Sequence, residues 1–204
     1  MTRKLTSLLL ALALLIAVGS PLYSVQIYDN GSQRFTITAG PTMPLSTTVF
    51  SGEYQGNYVG WGEGKSGFTP VGGFGSIAYQ VFINPYVAIG GEIGYGFNYY
   101  VDDALLTNVP MQFKLTVMPL QGTVEIPLSF GIGTSYMSIS DGGAYMPLFA
   151  SFETGLDWYF TDNWGVGIKT GLWVIGEFYF QQDKTDQNAL QTMIPITLSV
   201  TYRQ

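Results

Sequence analysis

The chain has 204 residues, of which 47% are hydrophobic and 15% aromatic but only 11% charged, where a soluble domain carries roughly 25% charged residues. It is too apolar for intrinsic disorder and too short for more than one full domain with a small appendage. With no Cys it has no disulfide, zinc-thiolate or iron–sulfur chemistry, and with no His it lacks the usual base of hydrolase triads. The formal net charge of −6, from 8 basic and 14 acidic residues, argues against a nucleic-acid surface.

In chain order, Arg3 and Lys4 come first and an apolar run follows, Leu5 to Val18, interrupted only by Thr6 and Ser7 and ended by Gly19, Ser20 and Pro21. A spanning helix needs about 18 to 20 apolar residues, so the run reads as a signal peptide, residues 1–24, cut after Ser24. The segment 25–204 is then one domain. Losing Arg3 and Lys4 leaves 6 basic against 14 acidic residues, a net charge of −8, and the address implies a destination beyond an inner membrane.

From there the apolar pattern has period two, the signature of strands. Arg34–Pro44 and Phe68–Phe82 are the first two segments. Val87–Tyr99 is the clearest: Val87, Ile89, Ile93, Tyr95, Phe97 and Tyr99 share one parity, and Ala88, Gly90, Glu92, Gly94, Gly96 and Asn98 the other. Val109–Met118, Val124–Tyr136, Leu148–Phe160, Trp164–Val174 and Ile194–Tyr202 continue the series, giving eight. Strands of 10 to 13 residues exceed the usual 5 or 6 but suit a bilayer crossed at about 45°. Connections alternate short and long: Ile83–Tyr86, Pro119–Thr123 and Thr161–Asn163 against the stretches near 45–67, 101–108, 138–145 and 175–192, as in an up-and-down transmembrane barrel.

Charge placement tests that register, because a Lys or Arg facing lipid at the midplane costs about 2 to 4 kcal/mol. Glu92, Lys114, Glu125, Glu153, Asp157 and Lys169 lie well inside the strands, and all six sit on the small or polar parity. Chance gives that agreement about one time in thirty for strands of period two. A soluble barrel reverses the logic, with its apolar face inward and a heavily charged face in water. The expectation is an all-β, eight-stranded antiparallel transmembrane barrel whose six charges form a lumenal polar network. These inward charges could line a conducting pore, but eight strands enclose just enough room for side chains, so a plugged lumen is the plainer reading. Lys114 and Lys169 should each contact a carboxylate, and the four-to-two excess of acids implies that some are protonated, hydrated or near a mouth.

Tyr79, Tyr86, Trp158, Trp164 and Tyr202 near one end, and Tyr95, Tyr99 and Tyr136 near the other, read as interfacial girdles. Tyr54, Tyr58 and Trp61, spaced by Gly52, Gly56, Gly60 and Gly62 in the first long loop, are candidate anchors for a partner; the plainer reading is a loop folded over the mouth. The loop acids Glu53, Glu63, Asp102, Asp103, Asp141, Asp183 and Asp186 have no EF-hand spacing. Gly60, Gly62, Gly64, Lys65 and Ser66 fail the spacing of a phosphate-binding loop. The pairs Gly94/Gly96 and Gly131/Gly133 are inward glycines that leave lumenal space.

Three stretches carry a resemblance to a known family: Val71-Gly72-Gly73-Phe74-Gly75, Asn84-Pro85-Tyr86-Val87-Ala88 with Glu92-Ile93-Gly94-Tyr95-Gly96-Phe97, and Gly155-Leu156-Asp157-Trp158-Tyr159-Phe160. In these the chain resembles the small outer-membrane β-barrels of diderm bacteria, a family that includes OmpA-like transmembrane domains and OmpW-like proteins. The resemblance implies outer-membrane lipids and the barrel-assembly machinery as partners. It also implies an aromatic assembly signal at the end of the last strand; Tyr202 fits, although Arg203 and Gln204 follow it. Barrel enzymes of that compartment generally use a catalytic His, which is absent. No catalytic, cofactor-binding or metal residue is therefore expected, and no cofactor. The expected role is structural or surface interaction through extracellular loops, in the outer membrane. The alternative is a narrow OmpW-like passage for small hydrophobic molecules, lined by residues such as Phe74, Phe149 and Trp173.

Overall fold

The computed structural model describes residues 26–52, 55–59, 72–99, 105–140, 143–178 and 188–204. Period-two alternation becomes eight long strands: β1 (Gln33–Val49), β3 (Gly72–Asn84), β4 (Val87–Tyr99), β5 (Leu105–Leu120), β6 (Val124–Ile139), β8 (Leu148–Tyr159), β9 (Trp164–Glu177) and β10 (Ala189–Arg203). Two short strands, β2 (Gly56–Val59) on β1 and β7 (Ala144–Tyr145) on β6, add to the hairpins. Each long strand pairs antiparallel with the next in chain order, and β10 returns to β1 from Arg34↔Arg203 to Val49↔Ala189. The result is a closed eight-stranded up-and-down barrel. Closure pairs the backbone along both sides of every long strand, which a lipid environment demands.

The two parities separate as their chemistry requires. Ile77, Ile93, Phe113, Phe130, Phe152, Ile168 and Leu198 are exposed on the outside. Thr36, Ser76, Gln80, Gln112, Thr116, Ser129, Thr197 and Thr201 are buried inside. An apolar exterior around a polar interior is the arrangement of a transmembrane barrel and the inverse of a soluble one. Tyr79, Tyr86, Tyr95, Tyr136, Trp158 and Trp164 are likewise exposed, the placement a girdle needs.

Strand limits differ from the sequence expectation mainly at the long-loop end. β1 runs on to Val49, β5 starts at Leu105, β6 reaches Ile139, β9 reaches Glu177 and β10 starts at Ala189. β3 begins at Gly72, and the expected start at Phe68 lies outside the described residues. Barrel ladders extend past the lipid, where the two faces of a strand no longer meet contrasting media and the alternation fades. Inside the strands, prolines interrupt pairing because they donate no N–H. β4–β5 skips from Ile93↔Met111 to Gly96↔Asn108 around Pro110, and β6–β8 skips from Glu125↔Asp157 to Leu128↔Thr154 beside Pro127. The expected signal peptide, residues 1–24, lies outside the described residues.

Candidate functional site

The lumen is filled in layers along the barrel axis. At the short-turn end, Tyr28, Phe82, Ala88 and Met118 form a buried apolar cluster, with Tyr28 stacked on Phe82 at 3.8 Å between ring centroids. Beside it Glu125, fully buried, ion-pairs with Arg203 and has the Tyr28 hydroxyl 2.9 and 2.8 Å from its two oxygens. Burial pushes the Tyr28 phenol above its ordinary value, so it remains a hydrogen-bond donor.

In the next layer Arg34 pairs with Asp157, which also accepts from Ser199 Oγ at 2.9 Å and lies 3.9 Å from Lys169 Nζ. Above it, Lys114 Nζ bridges Glu92 and Glu153, the latter at 2.5 Å. Hydroxyls and amides complete the polar layers: Gln80 donates to Thr116 Oγ1 at 2.7 Å, Thr116 and Ser129 share a 2.7 Å bond, and Ser151 donates to Gln112 at 2.7 Å. An apolar layer closes the long-loop half, with Phe74, Leu106, Met137, Phe149, Trp173, Ile175 and Met193 buried together. Trp173 joins the two regimes: its ring meets Phe74 edge-on at 4.5 Å, and its Nε1 donates to Glu153 Oε1 at 3.0 Å.

All six charges named from the sequence therefore sit in the lumen, and each belongs to an ion pair. Among the described residues, two further cations complete the set. Arg34 and Arg203 are buried and balance the acids, four against four, so no acid excess remains to be protonated or hydrated. Their parity announces them: Arg34 alternates with Phe35 and shares its face with Thr36 and Thr38, and Arg203 shares its face with Thr201 and Ser199. Both stand at the ends of the alternating stretches, so the strand interiors alone do not reveal them. The inward glycines differ from expectation as well, because the room beside them is occupied. A Cβ on Gly94 would lie 2.4 Å from the Phe74 ring, and one on Gly131 would lie 1.9 Å from Gln112 Oε1. Among the described residues, cavities against Glu92, Glu153 and Lys169 measure about 10 Å³ each, space for about one water apiece.

Of the loop aromatics, Tyr58 falls in β2, so this stretch is partly strand rather than all loop; Tyr54 and Trp61 lie outside the described residues. So do the loop acids Glu53, Glu63, Asp102, Asp103, Asp141, Asp183 and Asp186. Tyr202 pairs with Trp164 across the β9–β10 ladder, ring centroids 5.0 Å apart, while Arg203 turns inward.

A protein-family model of undescribed function matches residues 19–202. An uncharacterised protein of Borreliella burgdorferi is 23% identical over 197 residues, covering 86% of this chain and 89% of that protein. One of Treponema pallidum is 28% identical over 131 residues, 60% of this chain and 55% of its own length. Among solved structures, Neisserial surface protein A superposes with a TM-score of 0.52 at 12% identity, covering 85% of this chain and 97% of the other. The likeness is one of fold, that of a small outer-membrane barrel.

Proposed function

We propose, from the premise that the chain belongs to the uncharacterised family whose model spans residues 19–202, that it is a non-enzymatic integral barrel of the outer membrane. In this reading its long loops carry a structural or surface-interaction role. The observation that supports the reading is the packed lumen of the described residues: four cations on four acids, an apolar layer above them and cavities of about 10 Å³ beside Glu92, Glu153 and Lys169. With the lumen filled in this way, and with no His to act as a general base, this reading gives interaction to the loops, where barrel proteins vary most freely. Purified barrel in planar bilayers at neutral pH and moderate salt should show no discrete conductance steps, and stepwise removal of the long loops should abolish surface binding while the barrel stays folded. Reproducible openings by the intact protein would reject the plugged reading.

A second reading, a narrow passage for small hydrophobic molecules, draws on the apolar layer around Trp173 and Phe149. It predicts that such compounds quench Trp173 fluorescence in a saturable way and enter vesicles faster with the barrel present. Partners on either reading are outer-membrane lipids and, during biogenesis, the barrel-assembly machinery. In biogenesis, residues 1–24 serve as the signal peptide and Tyr202 as the assembly signal.

A further inference from the structure

Arg203 stands at the end of the β10–β1 seam, paired across it with Arg34, and its side chain turns into the short-turn mouth. One nitrogen ion-pairs with Glu125 of β6 and also donates to Gly122 O at 3.1 Å, in the β5–β6 turn. Its Nε donates to Asp162 O at 2.8 Å, in the β8–β9 turn, and its guanidinium lies 3.7 Å over the Tyr159 ring. The backbone is tied as well: Arg203 N donates to Asn163 O, while Gln33 and Gln204 exchange N–H···O bonds of 2.8 and 2.9 Å.

The segment leading into β1 docks against the same group. Tyr28 reaches Glu125, Ile27 N donates to Gln121 Oε1 at 3.0 Å, and Gln121 Nε2 donates to Pro85 O at 2.6 Å in the β3–β4 turn. Gly31, at φ 92°, lets the chain reverse between Tyr28 and β1, and its N–H donates to Phe82 O.

We propose that Arg203 is the clasp of this barrel: zipping the β10–β1 seam to its last pair carries the guanidinium into the mouth, where it fastens Glu125, two turns and, through Glu125, the Tyr28 plug. Seam closure and sealing of the short-turn mouth are then a single event. The role needs a planar, multi-donor cation. A lysine supplies one point charge for Glu125 but not the fixed fork that also serves Gly122 and Asp162 and lies on Tyr159.

The chain has no Cys, so Ser129→Cys, a buried lumenal position, gives a clean reporter when the mature chain is refolded in lipid vesicles. Labelling by a small thiol reagent reads the mouth, and the temperature at which the compact band disappears on unheated-versus-heated gels reads the seam. Arg203→Ala should raise the labelling rate at least about tenfold, the scale of losing a buried charge-assisted hydrogen bond, and lower the band-loss temperature. Tyr28→Ala should raise labelling while lowering that temperature less, because it removes the plug and leaves the seam bonds. Arg203→Lys should fall between parent and Arg203→Ala in both readouts, and it supplies the deciding comparison with the parent if the alanine variant does not refold. Arg203→Lys matching the parent in both readouts overturns the proposal. So does Arg203→Ala changing stability while labelling stays at the parent rate, since mouth and seam would then be independent.

Discussion

Lys114 shows how the lumen is held at the level of single side chains. It satisfies Glu92 and Glu153 at once, and Glu153 in turn orients Trp173. Removing one partner of a buried pair costs about 3 to 5 kcal/mol, because the survivor is left charged without compensation. Lys114→Met should therefore lower the urea midpoint of the refolded barrel by a cost of that size. Adding Glu92→Gln and Glu153→Gln should recover much of it; no recovery would mean that packing rather than charge pairing sets the cost. Tyr28 adds a pH dependence. Its phenol is raised by burial, so the stability it contributes is fully present below the ordinary tyrosine value of about 10 and declines as pH rises past it. Unfolding midpoints should fall above that pH, and in Tyr28→Phe, which starts lower for want of the Glu125 contact, the alkaline decline should be shallower.

Strands in so narrow a barrel must coil tightly, and glycine marks where neighbours come closest. A Cβ on Gly90 of β4 would stand 1.9 Å from Tyr79 O and 2.7 Å from Gln80 Cα, backbone atoms of β3 that cannot rotate aside. Gly90→Ala should cost about 1 to 3 kcal/mol as overpacking, read as a lowered midpoint with the barrel's circular dichroism retained. The elements themselves were largely legible in the sequence. Val87–Tyr99 is found with the bounds inferred from alternation, and β6, β8 and β9 start where expected, because lipid on one face and packed polar groups on the other impose a clean period of two. What alternation does not mark is the rim: Ser46-Thr47-Thr48 in β1 and Ala189–Met193 in β10 extend the ladder where the media on the two faces no longer differ. The lumenal ion pairs were half legible. Parity identified which charges turn inward, but partners such as Arg34 and Asp157 come from strands far apart in sequence and meet only across the closed barrel.

At the scale of the whole molecule, the apolar belt fixes the medium. Phe130 is 49% exposed midway along β6, between Leu115 and Phe152 on its neighbours. Phe130→Arg should cost about 2 to 4 kcal/mol in a bilayer; a neutral result in vesicles would mean that this face does not meet hydrocarbon. Among the described charged residues outside the lumenal set, Glu177 stands at the long-loop end and Asp29 and Asp162 at the short-turn end. Within the barrel four cations cancel four acids only when the layers are taken together: Lys114 alone faces Glu92 and Glu153, while Arg34 and Lys169 both face Asp157. The filled core is therefore polarised along the barrel axis, with one negative charge in excess at the Lys114 layer and one positive in excess at the Arg34 layer beside it. Each layer thus supplies the charge that the other lacks, and neither is neutral alone.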